Sequence, residues 1–323
     1  MAELLDIQNL SVRFSTPEGF LQAVDDVSYS IAPGESIAIV GESGSGKSVS
    51  AHAIMGLVPS PPGHVTGKVL FEGKDLMSLD DDSLRHLRGA RISMVFQEPM
   101  TSLNPLLSIG TQLRETMQTH IGLTAKQADA RAKDLLRLVG ISEAERRLKH
   151  YPHQFSGGMR QRVMIAIALS CEPRLVIADE PTTALDVTIQ AQILNLMQEL
   201  TSRLDAALIL ITHNLGVVAR YTSRVHVMYA GRIVESSSTE EIFAHPRHPY
   251  TVGLLNSIPR LDKIRGDRLV PIQGQPPDLA RLGTGCAYRP RCNYAVEDCA
   301  VIKPPVEAIS DGHNTACLQA SRF

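Results

Sequence analysis

The residues whose spacing carries the most chemistry are 41–48, which read GESGSGKS. Gly41, Gly44 and Gly46, with Glu42, Ser43 and Ser45 between them, let backbone N–H groups curl around a phosphate chain. A helix following at once would add the positive end of its dipole. Lys47 would then reach the β and γ phosphates, and Ser48 would ligate Mg²⁺. The same residues could make no more than a glycine-rich turn, so the reading needs a strand before them and a helix after. Residues 175–180, LVIADE, form an apolar run that ends on two carboxylates. Asp179 is placed to hold the Mg²⁺ shell, and Glu180 to orient and deprotonate an attacking water. Acidic residues also end strands as solvated caps, so this pair takes its meaning from the phosphate loop. Residues 155–161, FSGGMRQ, set the Ser156 hydroxyl and the bare backbone of Gly157 and Gly158 at a helix start. That is a second anion site or an ordinary capped helix.

Cys286, Cys292, Cys299 and Cys317 form a further group, separated by five, six and seventeen residues. The spacing does not match the close cysteine pairs of zinc folds, yet four thiolates in one small unit suit zinc or an iron–sulfur cluster. Unligated buried thiols are the bland alternative. Cys171 reads as a core or helix-end residue with no role.

The elements that must position these groups are legible in the pattern. Residues 37–40 are a short β-branched strand before the glycine loop, and 48–57 are helix-like after it. Residues 68–71 read as a strand, with a turn at 72–74. Residues 106–148 are charged and helix-periodic, with Leu135, Leu136, Leu138 and Val139 spaced for a buried face. From 175 onward strand (175–178), helix (188–204) and strand (207–212) alternate, which implies a parallel sheet with crossover helices. Residues 225–229 and 232–235 look like a closing hairpin around Ala230 and Gly231. After about residue 255 prolines gather and no long periodic segment remains, so a boundary is placed there.

With 323 residues the chain exceeds the size at which one core stops growing, and two units are expected. Lys and Arg number 32 against 34 Asp and Glu, with no basic block, so no electrostatic footprint for nucleic acid is present. No apolar run approaches the roughly 20 residues of a membrane span. The N-terminus lacks the basic and apolar regions of a secretory signal, so a cytoplasmic chain with reduced thiols is expected.

In this order the motifs resemble those of ATP-binding-cassette ATPases, whose LSGGQ signature lies between phosphate loop and carboxylate strand. Met159 stands where that family usually has Gln, and Phe155 where it has Leu. The resemblance implies that Gln97 is a ligand near Mg²⁺ and water, and that Ala184, Leu185 and Asp186 form the loop after the carboxylates. It makes His213 the histidine that touches the γ-phosphate, although Asn214 follows where Asp is common. Phe14, with Phe20 as a competitor, is similar to the aromatic that stacks on adenine. The implied fold is α/β: a phosphate-loop ATPase core on a parallel sheet, an N-terminal antiparallel β subdomain, and a helical subdomain at about 99–165. A small irregular cysteine-rich domain completes it, dividing the chain into 1–255 and 256–323.

Residues 98–105 (EPMTSLNP), 247–251 (RHPYT), the segment from Tyr151 and the cysteine tail resemble ATPase subunits of bacterial oligopeptide and dipeptide importers. Importers of nickel or another small solute share that branch, and a soluble cassette ATPase outside transport is the rival class. The resemblance implies ATP, Mg²⁺ and a [4Fe-4S] cluster on the four tail cysteines, with zinc as the alternative from residue type. It implies two ATPase subunits around two ATP, the second a related chain, and two transmembrane permease subunits. A periplasmic or extracellular peptide-binding protein would complete the set, and the chain would sit peripherally on the cytoplasmic face of the inner membrane. Met100, Leu103, Leu106 and Leu107 form an apolar cluster beside Gln97, read as a docking place for a permease helix or as the insert's own core.

Overall fold

A computed structural model describes residues 3–183, 185–258 and 271–323, with the side chains of 99 and 100 excepted. The strands are β1 (Leu5–Thr16), β2 (Gly19–Ile31), β3 (Ser36–Val40), β4 (Gly63–Phe71), β5 (Lys74–Asp75), β6 (Ile92–Val95), β7 (Leu175–Asp179), β8 (Ala207–Thr212), β9 (Arg224–Tyr229), β10 (Arg232–Ser238), β11 (Glu307–Ser310) and β12 (His313–Thr315). The helices are α1 (Lys47–Ile54), α2 (Asp81–Leu87), α3 (Pro99–Ser102), α4 (Ile109–Ile121), α5 (Ala125–Leu138), α6 (Ala144–Arg147), α7 (Gly157–Leu169), α8 (Val187–Arg203), α9 (Leu215–Tyr221), α10 (Thr239–Ala244) and α11 (Pro249–Asn256). No helix among the described residues is long and apolar enough to cross a membrane.

The chain divides into two compact units that do not follow sequence order. The first joins residues 1–31 and 36–77 to 211–323. It holds an antiparallel sheet in the order β2-β1-β4-β5, and strands running β11-β12-β10-β9-β3. The N-terminal strand shows how sequence sets this sheet. Leu5 and Ile7 are buried, then Leu10 and Val12, a change of parity along the strand. The register shifts between Ile7 and Leu10, where Asn9 takes φ 51°, so a bulge keeps the apolar residues on one face. β3 is buried along nearly its whole length and pairs in parallel with β9, Ile37 opposite Arg224 and Val40 opposite Val227. A strand covered on both faces reads as a continuous apolar run.

The core of this unit gathers Val40, Val225, Val227, Tyr229, Tyr250 and Tyr288, so residues before and after the predicted boundary share one apolar cluster. The tail beyond 271 has only short 3₁₀ turns and the β11–β12 pair. The segment just past the expected boundary, 259–270, lies outside the described residues.

The second unit comprises 32–35 and 78–210. In it β6 and β7 pair in parallel, Val95 opposite Ala178, with β8 beside β7. Its helices start at designed-looking caps: Ser108 for α4, Ser156 for α7, Asp186 for α8, and a reciprocal Thr124–Gln127 box for α5. Each cap satisfies amide donors that the first turn leaves orphaned, worth about 1 kcal/mol. Of the four apolar residues spaced for a buried face, Leu135, Leu136 and Val139 are buried, but Leu138 is 43% exposed, because it ends α5 on the side across the helix from Leu136.

Candidate functional site

In the first unit β3 delivers residues 41–46 and α1 begins at Lys47, the strand, loop and helix order the phosphate reading requires. Gly41 has φ 157° and a Cβ there would lie 2.1 Å from the Met228 carbonyl. Gly46 has φ 100° and would meet the Ala23 carbonyl at 2.3 Å. Both positions exclude any side chain on two counts, conformation and space. Gly46 caps α1 without a side chain, leaving first-turn amides for an anion. Ser43 and Gly44 are exposed, Ser45 is buried and Ser48 is half-buried.

Lys47 is 4% exposed, and its ammonium donates to the carbonyls of Gly41 at 2.8 Å and Glu42 at 2.9 Å. A desolvated ammonium held by loop carbonyls is a cation kept in reserve for a stronger anionic partner. The sequence places Glu42 in the phosphate-binding loop, but its carboxylate is bound by Arg291 through Nη1 at 2.6 Å and Nη2 at 2.9 Å, and its N–H donates to the Tyr250 hydroxyl at 2.7 Å. Only its main chain is turned to the loop's interior work. Arg291 and Tyr250 carried no motif signal of their own, although Tyr250 lies in the RHPYT stretch.

His213 is exposed just past β8. Asn214, the departure from the usual Asp, caps α9 by accepting from Gly216 N–H at 3.0 Å, so its amide is occupied with the helix start. The two adenine candidates separate by face. Phe14 pairs with Leu21 and Gly63, whereas Phe20 pairs with Ser15, one position along. Alternate strand positions face opposite ways, so the two rings lie on opposite sides of the hairpin. Phe14 is half-buried; Phe20 is 60% exposed beneath the Arg13 guanidinium.

In the second unit the parallel register brings two predicted residues together. Val95 and Ala178 are partners, and Gln97 and Glu180 each stand two residues beyond. Gln97 Nε2 donates to Glu180 Oε2 at 3.2 Å, and Thr183 Oγ1 donates to the same oxygen at 2.8 Å. Glu180 has φ 44°, a left-handed conformation that non-glycine residues hold at a cost and that gathers at functional sites. Asp179, one residue earlier, is 4% exposed. Thr183 escaped the sequence reading, though it lies three residues past the carboxylate.

The Ser156 side chain accepts from Met159 N–H at 3.4 Å, so it does cap α7, and Ser156 and Gly157 stand exposed. Gly158 faces Ile189 of α8, where a Cβ would come to 3.2 Å. Asp186 caps α8 from Ile189 N–H at 2.9 Å. Ala184 lies outside the described residues, as does the Met100 side chain. Of the apolar cluster beside Gln97, Leu103 is 2% exposed and packs inside its own unit, while Leu106 is 83% exposed.

Cys286, Cys292, Cys299 and Cys317 line one small cavity with His248 and Tyr288. Burial pushes the thiols of Cys286, Cys292 and Cys317 up, Cys317 to about 11, and the neighbouring sulfurs add to the effect. Amides of Tyr294 and Gln319 donate to the sulfurs of Cys292 and Cys317 at 3.4 and 3.3 Å. Among the described residues no three of His, Cys, Asp and Glu close on a point where a single metal ion would sit. Cys171 is buried among core residues, and burial raises its thiol too.

Known proteins bear on these geometries directly. Residues 24–183 match the ABC transporter family, and 234–299 match the oligopeptide/dipeptide transporter C-terminal region. The chain is 51% identical to the oligopeptide transport ATP-binding protein OppD of Haemophilus influenzae, over 100% of this chain and 99% of that one. The chain belongs to the ABC transporter family. It is 52% identical to the dipeptide transport ATP-binding protein DppD of Bacillus subtilis, over 100% of this chain and 96% of the relative. The dimeric ATP-binding cassette MJ0796 in a post-hydrolysis state with ADP and Pi has a similar structure. It has a TM-score of 0.65 and 28% identity, across 73% of this chain and 98% of that one. The cbiO1 structure from Clostridium perfringens gives 0.64 and 28%, across 76% and 92%. The α/β architecture with antiparallel and parallel sheets is that of an ABC ATPase, and the chain is an ATP-hydrolysing cassette.

Proposed function

We propose that this cassette powers a membrane importer of di- and oligopeptides. The observation that carries the reading is the match of residues 234–299 to the oligopeptide/dipeptide C-terminal region, on a chain about half identical to peptide-transport ATPases along its length. Residues 1–255 form the nucleotide-binding domain, with a helical subdomain at about 99–165, and 256–323 the peptide-importer tail.

The loop amides of 43–48 cradle the ATP phosphates, and Lys47 exchanges its carbonyl partners for the β and γ oxygens. Ser48, Asp179 and Gln97 offer oxygen donors, a set suited to a hard cation held by few carboxylates and by substrate phosphates. Held by these residues, Mg²⁺ would supply positive charge against the negative charge developing on the phosphates. Glu180 removes the proton of the attacking water. Gln97 and Thr183 both donate to its Oε2, which fixes the carboxylate and leaves Oε1 for the water. His213 donates to the γ-phosphate, and Phe14 or Phe20 stacks on adenine.

Ser156, Gly157 and Gly158, of which the two glycines face Leu185 and Ile189 on either side of Asp186, complete the site of a second, related ATPase subunit. Two permease subunits and an external peptide-binding protein make up the importer, with the cassette peripheral on the cytoplasmic face of the inner membrane. The four tail cysteines would hold a [4Fe-4S] cluster. Their sulfurs line one cavity, and backbone N–H groups already face two of them, a sulfur-rich setting that suits a cluster, with zinc as the alternative. Such a cluster would cross-link a segment with little regular structure.

The purified complex, reconstituted in vesicles with ATP on the cassette side, should accumulate labelled dipeptides or oligopeptides. Accumulation of nickel and not of peptides would overturn the substrate class. Hydrolysis without any membrane partner co-purifying would overturn the importer reading.

A further inference from the structure

The phosphate loop is gripped by side chains that its motif does not require. Glu42 occupies the first variable position, and Arg291 binds both its carboxylate oxygens in a fork-to-fork pair, with the guanidinium side chain only 4% exposed. Arg291 is itself fixed: Nε donates to the Gln273 carbonyl at 2.9 Å, and the guanidinium lies 5.9 and 6.0 Å from the ring centres of Tyr229 and Tyr288. The Glu42 N–H is held as well, by the hydroxyl of the completely buried Tyr250. Glu42 is thus clamped at side chain and main chain by residues more than 200 positions away, inside one compact unit. The clamp bears on chemistry because the Glu42 and Gly41 carbonyls are the acceptors that station the Lys47 ammonium.

We propose that Arg291 is a positioning residue for ATP: its grip on Glu42 sets the phosphate loop in its ATP-receiving shape and makes ATP affinity depend on the cysteine-rich segment. Arg291 immediately precedes Cys292, so order in the tail passes to the loop through one side chain. The inference rests on reading residues 41–48 as the phosphate loop.

The test uses the full-length chain in its purified transporter complex, with trinitrophenyl-ATP as binding probe and steady-state hydrolysis as second readout. Arg291→Ala and Glu42→Gln should each raise Kd and KM for ATP about tenfold, with kcat per folded complex changing far less. The double variant should be no worse than either single one, because both remove the same contact. Arg291→Lys keeps the charge but not the fork and should fail to restore affinity. Parental ATP affinity in both single variants, rescue by lysine, or a fall in kcat at unchanged KM would overturn the proposal. If Arg291→Ala does not assemble, Glu42→Gln decides alone by the same criterion. Lys47→Ala separates the two levels: parental affinity there refutes the phosphate-loop reading itself. Lost affinity there beside parental affinity in the Arg291 and Glu42 variants refutes only this inference.

Discussion

The phosphate loop and the cysteine tail both gather ligand groups, and they do it in opposite ways. The loop works through consecutive backbone amides, so its demands are local: Gly41 and Gly46 cannot bear a Cβ, and a strand and a helix must flank them. The tail brings four side chains to one cavity, Cys299 from a 3₁₀ turn and Cys286, Cys292 and Cys317 from loop positions. A backbone-built site tolerates changes at variable side chains that only face solvent, such as Ser43, and depends on a few residues absolutely. A side-chain-built site depends equally on each contributor.

The largest effect should come where a single side chain does chemistry. Glu180→Gln should lower turnover by roughly 10² to 10⁴ while ATP still binds, since loss of a base leaves the loop in place. Comparable hydrolysis by variant and parent complexes would remove Glu180 from that role.

Within the loop, Lys47→Ala should weaken ATP binding by roughly 2 to 5 kcal/mol, whereas Ser43→Ala should stay within about 0.5 kcal/mol. Calorimetric titration with ATP checks both, and equal losses at the two positions would break the contrast. In the tail, the proposed cluster predicts that the purified chain carries iron and visible absorption, and that Ser in place of any one of the four cysteines removes both. Full iron content in one such variant would take that cysteine out of the ligand set.

That contrast also explains what could be read from sequence. Residues 41–48, the strand ending at Asp179 and the helix after Ser156 follow from local pattern, because the residue types that mark each lie within a few positions of one another. Gln97 came only through family likeness; the structure adds its reason, since parallel register sets it beside Glu180. Arg291 gave no signal, because a buried pair between distant residues leaves no periodicity. The first unit could not be foreseen either, as the chain returns after 211 to share a core with β3. The apolar cluster near Gln97 misled in part: hydrophobicity alone cannot tell Leu103, inside the insert, from Leu106, exposed on it.

The smallest effect concerns the scaffold under the loop. His226 sits on β9 opposite Ile39 of β3, the strand that delivers the phosphate loop. It is buried against the Tyr29 ring at 4.9 Å, and burial, aided by the Arg224 charge, depresses it from 6.5 to about 3. The native ring therefore stays neutral where the unfolded chain takes up a proton. Its contribution is fully present above pH 6.5 and is lost as pH falls through the window down to about 3. The slope approaches about 1.4 kcal/mol per pH unit for this one group. His248, depressed to about 3 by the same cause, adds a second. His226→Leu should remove one proton from the pH dependence of urea stability and leave the other. An unchanged slope would mean that His226 is not held neutral, and that acid reaches the backbone-built site by some route other than the sheet beneath it.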